Sequence, residues 1–353
     1  MTSPDPVSLN SAAGTSAAAN PDAPLPHGGN LAAARAQFPN APQPIVDLST
    51  GVNPHPYPIA DLAIDDFAHL PEPAALARLS DLAATVYGAP SAQNVVAAPG
   101  SQILMALIAD LLPHGRAAVL GPTYAEHARV AALAGHDVTT VESLGGLEGA
   151  SLAIVVNPNN PDGRMTSKHD LLSLAEKQKA HGGTLVVDEA FMDVGPEGAS
   201  VSDRVDQAPI AVLRSFGKFF GLAGLRLSFA VTNRPLSARL RARLGPWPVS
   251  GPALGIGAAA LGDQAWIDRT RKALSADSER LEMLLGAAGL TPVGRTALFC
   301  LVSSPRAQEI FAALGEAGIF VRRFDENPQL LRFGLPGKQE EWRRLEGALN
   351  ALS

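Results

Sequence analysis

Apolar residues along this chain fall into two alternating rhythms. Short unbroken runs, among them Ala117-Ala118-Val119-Leu120, Leu152-Ala153-Ile154-Val155-Val156 and Thr184-Leu185-Val186-Val187, predict strands buried on both faces. Between such runs, apolar residues recur at helical spacing, as in Ile103, Leu104, Leu107, Ile108 and Leu111, and in the stretches Lys168 to Lys179 and Pro235 to Leu244. Alternation of this kind from Val95 to Thr232 predicts a mostly parallel sheet flanked by helices. After Gly251-Pro252, a long helical segment from Ala253 to Ala288 leads to a smaller α/β part. Its predicted elements are Ala297 to Ser303, Ala307 to Ala317, Phe320 to Arg322, Leu330 to Gly334 and a final helix from Lys338 to Leu352. The chain thus divides into a disordered tail (1–24), an N-terminal arm and substrate segment (25–60), a large domain (61–250), and an interdomain helix with a small C-terminal domain (251–353). No internal repeat is evident.

Composition narrows the class. The 353 residues suffice for a large core plus a smaller domain, and 46% of them are hydrophobic. No apolar run approaches the ~20 residues of a membrane helix. A net charge of −6 offers no electrostatic case for nucleic acid or an anionic membrane as partner. Any anion must therefore be captured by local sites. The first 24 residues lack the basic start and apolar core of a secretory signal, so a cytoplasmic location is expected. The single cysteine, Cys300, lies in an apolar run and excludes an internal disulfide. The eight histidines show no metal-ligand spacing, so no metal is expected.

The densest chemistry lies in Ser215-Phe216-Gly217-Lys218-Phe219-Phe220-Gly221-Leu222-Ala223-Gly224-Leu225-Arg226. A lysine amine that sheds its proton through partial burial and a nearby cation can form a Schiff base with an aldehyde, while Ser215 and Arg226 suit a phosphate. Taken alone, Lys218 reads as a surface lysine beside a glycine-rich turn. Asp188 ends a buried strand, where open α/β sheets place ligands, and a carboxylate there can keep a pyridine nitrogen protonated. By itself it reads equally as a helix N-cap. Asn157 opens the proline-pinned turn Asn157-Pro158-Asn159-Asn160-Pro161 and is a rigid donor for a phenolic oxygen, or simply a turn residue. Gly100-Ser101-Gln102 opens a helix whose free N–H groups suit an anion, or form a plain N-cap. Tyr124 follows a strand and a Gly-Pro turn, where it either stacks on a ring or pads the core.

In this order, from Pro26 onward, these residues resemble the fold-type I pyridoxal phosphate enzymes of the aminotransferase superfamily. The resemblance implies pyridoxal 5'-phosphate as cofactor and a homodimer. Lys218 would be the Schiff-base lysine, Asp188 the pyridinium partner, Asn157 the phenolate partner and Tyr124 the stacking ring. Gly100, Ser101, Gln102, Ser215 and Arg226 would surround the phosphate, and Arg332, in Leu330-Leu331-Arg332-Phe333-Gly334, would take a substrate carboxylate.

Two branches of that superfamily share the Gly-Leu-Ala-Gly-Leu-Arg ending: histidinol-phosphate aminotransferases and the threonine-phosphate decarboxylases of cobalamin biosynthesis. His27-Gly28-Gly29-Asn30, Asp47-Leu48-Ser49-Thr50-Gly51-Val52-Asn53-Pro54 and Arg214-Ser215-Phe216-Gly217-Lys218-Phe219-Phe220 are similar to the decarboxylase branch. By that resemblance His27, Gly28, Asn53, Asn157, Arg322 and Arg332 would bind a small phosphorylated amino acid. Two anionic ends require two donor-rich subsites, and arginine's fork suits both. His27 also reads as a solvated residue of an arm, and Arg322-Arg323 as two surface charges. Phe191 stands where many aminotransferases carry a tyrosine, Leu70 where the aminotransferase branch has another, and Ser228 replaces a usual glycine. Decarboxylation of O-phospho-L-threonine is the expected activity. A histidinol-phosphate aminotransferase and a non-catalytic pyridoxal phosphate-binding protein are the alternatives.

Overall fold

The buried runs of the sequence are strands in the computed structural model, which describes residues 25–352; the expected tail, 1–24, lies outside the described residues. In chain order the strands are β1 (Val46–Leu48), β2 (Val95–Ala98), β3 (Arg116–Leu120), β4 (Asp137–Val141), β5 (Leu152–Val156) and β6 (Thr184–Asp188). They continue as β7 (Ile210–Ser215), β8 (Ser228–Thr232), β9 (Pro292–Thr296), β10 (Phe299–Ser303), β11 (Ile319–Arg323) and β12 (Leu330–Gly334). Contacts group the chain into two units: a larger one of Val52–Asp277 with Thr296–Leu298, and a smaller one of the residues up to Gly51, Ser278–Arg295 and everything from Phe299 on. The sequence pattern set boundaries near 60 and 250. The N-terminal segment falls instead with the C-terminal unit, because β1 pairs in parallel with β11, Val46 opposite Ile319 and Leu48 opposite Val321.

The larger unit holds a seven-stranded sheet in the order β2-β8-β7-β6-β5-β3-β4. Strands β4, β3, β5, β6 and β7 run parallel, as the alternating pattern predicts, and β8 is antiparallel to both its neighbours. Every residue of β2, β5, β7 and β8 is buried, each large aliphatic side chain contributing about 1.5–3 kcal/mol by leaving water. Asp188 pairs with Val156 of β5 on one side and Leu213 of β7 on the other. The carboxyl ends of β5, β6 and β7 therefore end side by side, and the loops after them share one edge.

The flanking helices begin where the sequence supplies caps. Ser167 accepts from Asp170 N–H at the start of Lys168–Ala180, and Asn233 from Leu236 N–H at the start of Arg234–Leu244. The predicted continuous helix from Ala253 to Ala288 is two helices, Gly251–Gly262 and Gln264–Ala287. Asp263 causes the break: its backbone leaves helical geometry, and its carboxylate accepts from Trp266 N–H at 2.9 Å, capping the second helix. Among the described residues no helix is long and apolar enough to cross a membrane.

The smaller unit carries a five-stranded sheet in the order β1-β11-β12-β10-β9. Its β10 buries Cys300 opposite Phe333 of β12, so the lone thiol is the core strand residue that its apolar run predicts. Strand β1 is too short and too polar at Asp47 to announce itself in sequence.

Candidate active site

The aligned strand ends bring Asn157 and Asp188 together: the Asn157 N–H donates to the Asp188 carbonyl at 2.8 Å. Asp188 is 5% exposed, its Oδ1 accepting from Ala190 N–H at 3.0 Å and its Oδ2 lying 2.8 Å from His127 Nε2. His127, 1% exposed, approaches from the helix Glu126–Leu133, and Tyr124 packs edge-on to it with ring centroids 6.0 Å apart. The carboxylate is thus fixed in orientation from two sides. Asn157 is fully buried, its Oδ1 accepting from Thr166 N–H at 2.8 Å and its Nδ2 donating to Thr166 O at 3.1 Å. An amide nitrogen carries two protons, so this rigid side chain retains a donor.

Lys218 sits on the short helix Phe216–Phe219, one strand over, directly after β7. It is half-buried, with its Nζ 5.8 Å from the centre of the Phe191 ring. Asn53 braces this segment: its N–H donates to Lys218 O at 2.9 Å, its Nδ2 donates to Phe219 O at 2.8 Å, and its Oδ1 accepts from His55 N–H at 2.8 Å. Ser215, 8% exposed, ends β7 opposite Ser228 of β8, so the serine that departs from the family's glycine lies across from a proposed phosphate ligand.

Gly100 and Arg226 form a cradle suited to an anion. Gly100 has φ +106°, and a Cβ there would run into the Arg226 guanidinium. Arg226 has φ +57° and is the one non-glycine residue among those described with positive φ, a conformation costing roughly 1–3 kcal/mol and found mostly at functional sites. Its exposed guanidinium donates to Ala223 O at 3.2 Å, which leaves further donors. Gly100 precedes the helix Ser101–Leu111, whose first turn offers the backbone N–H groups of Ser101 and Gln102. The Gln102 side chain turns instead to the buried carboxylate of Glu126, which Arg129 also engages at 3.2 Å.

In the smaller unit, Arg322 of β11 and Arg332 of β12 are direct cross-strand partners. Arg332 is 7% exposed and donates to Ser49 O at 3.0 Å, while Arg322 donates to Pro26 O at 2.7 Å, beside the exposed His27. Successive strand residues face opposite ways, and Arg323 accordingly lies over the Phe311 ring. Gly28 has no room for a side chain, since a Cβ would strike the Ser49 carbonyl.

Three features escaped the sequence reading. His127 gave no signal beyond its position one helical turn after Tyr124. Ser49, buried, entered only as part of the Asp47 to Pro54 segment, with no role of its own. Arg214, which entered only as part of a motif, is the centre of a dry ion cluster, bonded to Glu189 at 2.9 Å and Asp193 at 2.6 Å and stacked 4.4 Å over the Tyr87 ring. Burial would lower its pKa, but Asp193 and Glu189 hold it above its ordinary value. Burial pushes Glu189 up, outweighing the opposing pull of Arg214. The cluster flanks Asp188 and Ser215 in sequence, so it backs both strand ends.

Strand order, and a lysine placed just beyond the strand next to the one carrying the buried carboxylate, are those of the aminotransferase-like, fold-type I class. The chain belongs to the aminotransferase class I and II family, whose sequence profile matches residues 43–349. It is 41% identical over 333 residues to a Sinorhizobium sp. protein named threonine-phosphate decarboxylase, covering 93% of this chain and 98% of that one. A Pseudomonas aeruginosa protein of the same name is 39% identical over 328 residues, covering 92% and 97% respectively. Among solved structures, histidinol-phosphate aminotransferase from Sinorhizobium meliloti, in complex with pyridoxal-5'-phosphate, superposes with a TM-score of 0.81 at 20% identity, over 94% of this chain and 96% of that one. That likeness speaks for the fold alone.

Proposed function

We propose that this chain is a pyridoxal phosphate-dependent decarboxylase that converts O-phospho-L-threonine to (R)-1-aminopropan-2-yl phosphate and CO2 for cobalamin biosynthesis, acting as a cytoplasmic homodimer. The observation that carries the reading is the cross-strand pair Arg322 and Arg332, two guanidinium groups answering to a substrate with a phosphate and a carboxylate. The full-length relatives at 39–41% identity bear the same activity in their names. Exposed Ile59, Leu62, Ile64, Phe67 and Leu70, apolar side chains within twelve residues of chain, support a second copy as partner.

The residues present fit the cofactor. Gly100 and Arg226 leave a backbone-lined cradle that a side chain would fill, and Asp188 offers a fixed, buried acceptor. Lys218 would hold the aldehyde carbon, Asp188 the ring nitrogen, Asn157 the phenolic oxygen, Tyr124 the ring face, and Ser101, Gln102, Ser215 and Arg226 the phosphate. Bound there, the cofactor supplies an electron sink for a carbanion at the substrate's Cα.

The protein's own part is orientation. The bond broken at Cα depends on how the substrate is held, so anchors at both anionic ends choose between loss of CO2 and loss of a proton. Arg332 would hold the carboxylate, and His27, Gly28, Asn53 and Arg322 the phosphate. Binding energy from that remote group then serves the reacting centre. Phe191 fills the place where a tyrosine hydroxyl would approach the phenolic oxygen, and Leu70, 66% exposed, lacks the hydroxyl expected of the aminotransferase branch. The missing hydroxyl at Leu70 weighs against histidinol-phosphate transamination.

The test is to incubate the enzyme with O-phospho-L-threonine and, separately, with histidinol phosphate plus 2-oxoglutarate, measuring CO2 and glutamate. CO2 from the first alone is expected. Efficient glutamate formation from the second would transfer the assignment to the aminotransferase, and absence of turnover on either would leave a binding protein.

A further inference from the structure

Ser49 is 1% exposed, yet both halves of its hydroxyl are used. The hydroxyl donates to Asp47 Oδ1 at 2.6 Å and accepts from Gly29 N–H at 2.7 Å. Asp47 Oδ1 also takes the Ser49 N–H at 2.9 Å, closing a ring that pins the serine just beyond β1. The Ser49 carbonyl accepts from Arg332 Nη2 at 3.0 Å, and it is the atom against which Gly28 packs too closely for a side chain. A single residue therefore joins the His27-Gly28-Gly29 segment to Arg332.

We propose that Ser49 is a positioning residue that sets the spacing between a phosphate held near His27 and Gly28 and a carboxylate held by Arg332, and so helps the enzyme select doubly anionic substrates. The inference rests on the proposed substrate. Removing the hydroxyl leaves the Gly29 N–H without its Ser49 acceptor and Asp47 with only the Ser49 N–H of its two Ser49 donors, so the segment loses its register to Arg332 while the arginine keeps its carbonyl partner.

The experiment compares holoenzyme of wild type and Ser49→Ala on O-phospho-L-threonine and on L-threonine, reading half-saturating concentrations from the change in cofactor absorbance and kcat/KM from CO2 release. The ratio of kcat/KM for the phosphorylated over the plain amino acid is expected to fall about tenfold, the effect of one buried hydrogen bond. The absorbance of the resting enzyme and the half-saturation by L-threonine are expected to stay unchanged. A general structural defect would weaken both amino acids alike; equal losses, or none, overturn the proposal. If Ser49→Ala does not fold, Asp47→Asn, which weakens the hydroxyl's acceptor, is put through the same comparison with the same criterion. If wild type releases no CO2 from O-phospho-L-threonine, the substrate assignment fails by itself. Half-saturation by O-phospho-L-threonine against L-threonine, read from cofactor absorbance without turnover, then decides on Ser49, a selective loss for the phosphorylated amino acid upholding it and an equal one overturning it.

Discussion

His127 Nε2 stands 2.8 Å from Asp188 Oδ2, and both side chains are almost completely removed from solvent. The imidazole holds the carboxylate in one orientation, in which the ring nitrogen of the proposed cofactor would meet it without rearrangement. Asp188→Asn is expected to keep the cofactor and lose activity by several orders of magnitude, because a neutral amide cannot sustain a pyridinium. His127→Leu should lower kcat roughly 10–100-fold, the scale of a lost hydrogen bond to a charged group, with cofactor still bound. Steady-state CO2 release together with cofactor absorbance checks both, and near-normal turnover of Asp188→Asn would remove Asp188 from the ring nitrogen.

Lys218 is the only lysine in the Ser215 to Arg226 segment, and it is half-buried beside Phe191. Purified protein should be yellow, and borohydride should fix pyridoxal to Lys218, as read by peptide mapping. A label on another lysine would sink the assignment.

Arg332 sits between Phe299, its guanidinium 5.0 Å from the ring centre, and the Ser49 carbonyl, in a slot shaped for a planar cation. Arg332→Lys should therefore fail to rescue Arg332→Leu, both reducing kcat/KM on O-phospho-L-threonine by about 10–100-fold or more. Arg322→Leu should raise KM for that substrate while leaving L-threonine little affected. Full activity of the lysine variant would argue for a point-charge contact in place of a fork.

Burial pushes the Cys300 thiol from its ordinary 9.0 up to about 12, with Glu282 assisting and Arg295 and a Ser278 hydrogen bond opposing. Because the folded value lies above the unfolded one, the stabilisation from keeping the thiol protonated is complete below pH 9 and is lost as pH rises toward about 12. The native protein should resist a thiol reagent at about pH 8, whereas the denatured chain titrates one thiol. Over the alkaline range, Cys300→Ala should lose less thermal stability with pH than wild type. Rapid native labelling would mean the thiol is accessible.

Much of the fold was legible because its causes are local. The unbroken run Leu152 to Val156 can only be a strand buried on both faces, and Ser167 or Asn233 starts a helix by a bond to a residue three positions on. The positions of Asp188, Asn157, Lys218 and Gly100 at or just after strand ends were legible because an unbroken apolar run precedes each of them. The break at Asp263 was missed because Gly251 to Ala287 stays helix-compatible throughout, and only the carboxylate's bond to Trp266 decides where the backbone turns aside.

What the sequence by itself determined, then, is the buried strands of the large sheet with the helices between them, and the order of the segments that carry Gly100, Asn157, Asp188 and Lys218. The tertiary structure alone decided that β1 joins β11, that Arg322 stands opposite Arg332, that His127 reaches Asp188 across 61 positions, and that Ser49 ties Gly29 to Arg332. The physical reason is that hydrophobic rhythm and capping act over a few residues, whereas strand register is set by pairing between segments that can lie far apart in the chain, as Val46 and Ile319 do. A slip of one residue would reverse the face on which every side chain of a strand emerges.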